Sequence, residues 1–128
     1  MKFALVVNCP PSSVNSFSAY LFARAVLDGG HQLHRVFFYQ EGVFNGNSLS
    51  SPPQDELNMP ALWQSLNQSS DVDLCVCIAA AIRRGVLDEG EAARYAKAHY
   101  NLLGDFTIAG LGQLIEATQT ADRVVTFG

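Results

Sequence analysis

Apolar positions along this chain fall in short blocks separated by polar breaks, and the blocks are of two kinds. Phe3 to Val7 and Leu74 to Ile78 are uninterrupted apolar runs. Their length suits strands buried on both faces. Leu33 to Tyr39 is a further strand, supported by the β-branched and aromatic run Val36, Phe37, Phe38, Tyr39. Phe106 to Ala109 and Val124 to Phe127 read as two short strands near the end of the chain. Helical spacing fills the intervals. Ser16 is the expected N-cap of a helix that runs to about Asp28 and ends at Gly29-Gly30. Only Ser18, Arg24 and Asp28 interrupt its apolar character, so burial all round is expected. A helix from about Met59 to Gln68 carries Leu62, Trp63 and Leu66 at helical spacing, with Trp63 as a core or interface anchor. Asp88 to Lys97 opens acidic and closes basic, in line with the helix dipole. Leu111 to Thr120 places Leu111, Leu114 and Ile115 on one side. The breaks are Asn8-Cys-Pro-Pro-Ser-Ser13 and a long polar stretch, Glu41 to Pro53, of a length usually associated with function or mobility.

Strands alternating with helices predict a parallel sheet covered on both faces. The expectation is a single α/β domain over residues 1–128, a three-layer flavodoxin-like fold with a five-stranded, mostly parallel sheet. The strand order expected for that class is 2-1-3-4-5, which makes strands 1 and 3 neighbours at the switch point and gathers functional groups at their carboxyl ends. Cys9 and Cys77 both fall on that edge.

Composition narrows the function classes. Hydrophobic residues make up 48% and charged residues 16%, which leaves two readings open: apolar surface covered by a partner, or a tightly packed core. A net charge of −4 gives no basic footprint for direct nucleic-acid binding. The apolar runs are far shorter than the roughly 20 residues of a membrane-spanning helix. Met1 to Asn8 reads as a first strand and not as an export signal, so the three cysteines are expected reduced, in the cytoplasm. Cys75-Val-Cys77 has no second ligand pair, so no metal is expected. Gly110-Leu-Gly112 lacks the third glycine of a dinucleotide fingerprint and no phosphate-binding loop occurs, so no cofactor is expected either.

The reactive candidate is Cys77. It lies where an apolar strand gives way to Ala79-Ala80-Ala81 and then Arg83 and Arg84. A thiol at a strand-to-helix junction can meet free backbone N–H groups, and nearby guanidinium groups favour thiolate, the reactive form. A small buried hydrophobe is the alternative reading. Cys75 points to the same strand face, deeper, and reads as core. Cys9 reads as an unpaired loop cysteine, with a redox pair to Cys77 as the alternative. Arg83 and Arg84 are either solvated charges or supports for the thiolate and for an acidic partner. His31, His34 and His99 share no spacing, and Asp88, Glu89 and Glu91 read as a helix-start cluster.

Five stretches together resemble the DsrE/TusD family of sulfur-relay proteins: Arg35 to Val43, Ser51 to Glu56, Cys77-Ile-Ala-Ala-Ala-Ile-Arg-Arg-Gly-Val86, Gly110 to Ala117, and Ala121 to Val125. The Cys77 block is the most specific, and the resemblance implies that Cys77 carries a persulfide. It also implies a cytoplasmic hetero-hexamer with TusB-like and TusC-like subunits, a TusA-like donor, a TusE-like acceptor, and sulfur destined for 2-thiouridine at the tRNA wobble position. A DsrE-like subunit working with DsrF and DsrH in dissimilatory sulfur oxidation is the alternative setting. The first loop, Asn8-Cys-Pro-Pro-Ser-Ser, departs from the family's glycine–proline loop. On this reading a sulfurtransferase thiol, exposed at the rim of the sheet, attacks a donor persulfide and yields its terminal sulfur to an acceptor thiolate. A non-catalytic structural subunit, a flavodoxin-like binding module and a Cys9–Cys77 redox switch are the rival readings.

Overall fold

The computed structural model describes residues 1–128. Its sheet comprises β1 (Lys2–Val7), β2 (Gln32–Phe38), β3 (Asp73–Cys77), β4 (Phe106–Ala109) and β5 (Arg123–Phe127), and every pairing is parallel. Helices α1 (Val14–Asp28) and α2 (Met59–Ser70) fill the first two crossovers. Two short helices, α3 (Ile78–Arg83) and α4 (Glu89–Arg94), follow β3, and α5 (Leu111–Thr120) joins β4 to β5. Alternation along β2 sorts the layers. Phe38 meets Trp63 of α2 edge to face, with ring centroids 5.2 Å apart, whereas Arg35, three positions away, reaches Glu116 of α5. The sheet is therefore sandwiched, as the three-layer flavodoxin-like class requires.

The strand order is 4-3-2-1-5, not the expected 2-1-3-4-5. The reason is burial. In the expected order β2 would be an edge strand, yet its Val36, Phe37 and Phe38 are apolar on both faces and fully buried. They need a strand on either side, which β1 and β3 supply. The exposed edge goes to β5, whose Arg123, Val124 and Thr126 face solvent. Three crossovers step the same way from β1 to β4, and the chain then returns over the other face to β5. The switch point thus lies between β1 and β5, and β2 separates β1 from β3.

Two element boundaries differ from the pattern, for one reason. The N-cap of α1 is Ser13, whose Oγ accepts the Asn15 N–H at 3.2 Å. Ser16 lies one turn inside and is wholly buried, donating from Oγ to Asn45 Oδ1 at 3.0 Å. Asn45 belongs to a 3₁₀ segment, Gln40–Gly46, in the first half of the stretch expected to be a polar loop. Its Gly42, Val43, Asn45 and Gly46 are buried, so this half is part of the core and not a mobile loop. Asn45 Oδ1 also accepts Trp63 Nε1–H at 3.2 Å, and its Nδ2 donates to the carbonyls of Gly42 and Cys9. One amide fastens the 3₁₀ segment to α1, α2 and the loop after β1. Nor is α1 buried all round: Ser16, Ala19, Ala23 and Val26 form its inner face, while Leu21 and Val14 are exposed. Trp63 is the largest buried side chain, closed in by Tyr20 and Phe38.

Candidate functional site

The carboxyl edge of the sheet is where the chemistry-bearing residues were expected, and Cys77 is there. It is the last residue of β3, beside Ala109 of β4, and the N-cap of α3. Its backbone is still extended, at φ −65° and ψ 124°, so by alternation its side chain shares the α5 side of the sheet with Cys75 and Asp73. The thiol is not at an exposed rim. Cys77 is only 2% exposed and belongs to the main apolar cluster. The 3₁₀ segment packs on both α3 and β3 beside it.

The flanking arginines do not pair with the sulfur. Arg84 donates from Nε to Glu41 Oε1 at 3.0 Å, from Nη1 to the Ala80 carbonyl at 3.1 Å and from Nη2 to Gln40 Oε1 at 3.4 Å. It ties α3 to the 3₁₀ segment. Arg83 is exposed and enters no ion pair. Of the two residues that organise this corner, Glu41 lies within the Arg35 to Val43 stretch singled out in the sequence, whereas Asn45 had no signal beyond lying in a glycine-rich stretch.

All three cysteines are free. Cys9 is buried beyond the end of β1, and burial pushes its thiol pKa up, partly opposed by a hydrogen bond with Ser13. With β2 intervening, two strand spacings put about 10 Å between the backbones carrying Cys9 and Cys77. A disulfide needs Cα atoms within about 7 Å, so the order of strands holds this pair apart. Cys75 is core, as expected: 2% exposed, its Sγ lies 3.4 Å from Asp73 Oδ1 and 3.5 Å from Thr107 Oγ1. Burial above all, with Asp73 adding to it, pushes its pKa up to about 11.

No histidine stands ready as a general base. His31 contacts the terminal amine, His34 binds Glu116, and His99 is exposed. Asp88 caps α4 by accepting the Glu91 N–H at 2.8 Å, which confirms the helix-start role. No three His, Cys, Asp or Glu side chains converge as a metal cluster. A cleft of about 530 Å³, not lined by Cys77, lies between the start of α1 (Ser13, Val14, Phe17) and the segment containing Pro52, Leu57 and Met59. No helix is long and apolar enough to cross a membrane.

Residues 1–127 match the DsrE/DsrF-like family. The chain is 50% identical over 129 aligned positions to the protein named "Putative sulfurtransferase DsrE" of Allochromatium vinosum, covering 100% of this chain and 99% of that one. Among solved structures it resembles the ychN protein of E. coli, with a TM-score of 0.78, 22% identity and 99% of each chain covered. At that identity the likeness speaks for the fold.

Proposed function

The chain belongs to the DsrE/DsrF-like family, and from that premise we propose that it is a sulfurtransferase subunit carrying sulfur as a persulfide on Cys77. The observation that carries the reading is the position of Cys77: the junction of β3 and α3, at the carboxyl edge where open α/β sheets keep their sites. In the forward step the Cys77 thiolate attacks the outer sulfur of a donor persulfide. That S–S bond breaks, the donor leaves as a thiolate, and Cys77 holds the new S–S bond. An acceptor thiolate then attacks the terminal sulfur and Cys77 leaves as thiolate, so no net electrons are exchanged. Cys75, with its raised pKa, and Cys9, held apart by β2, have no part in the transfer.

Half identity along the whole length to a protein named DsrE favours the DsrE-like setting, with DsrF-like and DsrH-like partners, over tRNA thiolation with TusA-like and TusE-like ones. A multimeric setting is supported by uncovered apolar side chains: Leu111 and Ile115 on α5 and Val124 on β5 are all exposed. Incubation with glutathione persulfide and intact-mass measurement test the carrier role. An adduct of about 32 Da, one sulfur, is expected on the native chain and not on Cys77→Ser. An adduct that survives Cys77→Ser overturns it.

A further inference from the structure

A carrier thiol must be reached by a visiting sulfur, yet Cys77 is buried, with its side chain on the α5 side of the sheet. The route of the chain says what lies there. β4 is the edge strand beside β3, and its Ala109 pairs with Cys77. From β4 the chain must cross the sheet to reach β5, beyond β1, and α5 rests on β2, β1 and β5. At Gln113 it is already within reach of β2, because the Gln113 carbonyl accepts from Arg35 Nη1 at 2.7 Å. β3 is the strand in between, so Gly110, Leu111 and Gly112 are the residues that span its carboxyl end.

This end of α5 is weakly held. Its N-cap, Gly110, makes no side-chain hydrogen bond, and no acidic residue stands in its first turn. Leu111, Gly112 and Gln113 are exposed, and Leu114 is the first residue of the helix packed on the core. Gly112 is also a poor helix former. The far half is pinned: Ala117 is buried, and Glu116 is held by Thr120, His34 and Arg35. Helix ends fray at little cost, so this first turn can open while the rest of α5 stays in place.

We propose that the first turn of α5, Gly110 to Gln113, is the door to Cys77: it covers the thiol when helical and admits a visiting sulfur when it frays. The inference rests on the sulfur-carrier reading for its purpose, but not for its test. Neither glycine is demanded by the backbone. Gly110 is extended, at φ −84° and ψ 176°, and a Cβ there would meet nothing closer than 3.9 Å, while one on Gly112 would stand in open space. What glycine supplies at 112 is looseness.

The test is alkylation of the full chain by iodoacetamide, with the labelled cysteines located by peptide mass. Gly112→Ala, which favours the helix without a clash, is expected to slow Cys77 labelling about fourfold. Gly90→Ala makes the same exchange at the second position of α4, where a Cβ meets nothing closer than 3.7 Å, and leaves the Cys77 rate unchanged. Leu114→Ala removes the first apolar anchor behind the turn and speeds Cys77 more than Cys75. Cys75, deeper in the same strand, reports general loosening or tightening, and its rate changes with neither glycine variant. A Cys77 rate indifferent to Gly112→Ala overturns the door, and so does equal slowing by Gly90→Ala or an equal change at Cys75. Glutathione persulfide applied to the native chain and to Gly112→Ala separates the two ideas: failure of both to load sulfur defeats the carrier reading while the labelling contrast still stands.

Discussion

Gly42 sits against the carbonyl of Val7 so closely that a Cβ on it would lie 1.9 Å from the Val7 oxygen. This contact seats the 3₁₀ segment across the end of β1, where Val7 also accepts the Tyr39 N–H at 2.9 Å. Both sides are backbone, so neither can move without displacing a strand. Gly42→Ala is therefore expected to destabilise by about 3 kcal/mol or more, at the severe end for a single added methyl. Urea unfolding followed by Trp63 fluorescence measures it. A loss under about 1 kcal/mol means that the segment yields and is not a fixed platform.

The Asn45 amide gives a second prediction. It accepts from Ser16 and Trp63 and donates to the Cys9 and Gly42 carbonyls, all out of water. Asn45→Leu fills a similar volume but strands those partners, at about 1–3 kcal/mol for each buried group left unpaired. The expected total is about 3–5 kcal/mol, since the partners relax together. Asn45→Asp accepts as before but loses both donated bonds and adds a buried charge, so it is expected to be no better. Equal stability of Asn45→Leu and the native chain in urea would contradict this.

Much of this corner was hidden from the sequence, and the reason is physical. Each strand and most helices follow from local periodicity, so Phe106–Ala109 and Leu111–Thr120 fall where the pattern puts them. The 3₁₀ segment does not, because a tight turn of Gly and Asn bonded to distant side chains has the composition of a loop. Ser16 looked like a cap for the same reason: its hydroxyl answers to Asn45, 29 residues away. Strand order was more legible than the expected topology allowed, since a run such as Val36-Phe37-Phe38 already argues against an edge. The cysteine was found by its block, but its burial depends on which elements pack over β3, and no residue near Cys77 announces that.

The two strand thiols should separate by reactivity. Burial and the neighbouring Asp73 carboxylate raise the Cys75 pKa to about 11 from the ordinary 9.0, so its thiol stays protonated through the neutral range. The sign for stability follows: an acid with a raised folded pKa favours the fold below pH 9.0, and that contribution is lost as pH rises through about 11. Alkylation with peptide mapping across pH 7 to 11 should show Cys75 inert at first and rising only at the alkaline end. Labelling of Cys75 at the rate of an unfolded cysteine near pH 8 would refute the assignment.

Acid should release α5 before the rest of the sheet. Glu116 is the anchor of that helix: it accepts from Thr120 at 2.6 Å, lies 2.9 Å from His34 Nε2, and takes a 2.7 Å bond from Arg35, which also holds Asp73. The Thr120 hydrogen bond first, then His34, together with the Arg35 charge, hold its carboxyl at about 2, below the ordinary 4.5. A depressed carboxyl pKa favours the fold above the ordinary value, and the contribution is lost as pH falls from about 4.5 through about 2. Glu116→Gln cannot carry the charge, so its deficit against the native chain should be widest above pH 4.5 and close towards pH 2. Because α5 is the helix that covers β1, β2 and β5 on its face, amide exchange within Leu111–Thr120 should rise ahead of exchange in β1 and β2 over that window. A deficit that stays constant down to pH 2, or exchange rising evenly through the sheet, would place the anchoring of α5 in its apolar contacts, Ala117 above all, and not in this carboxylate.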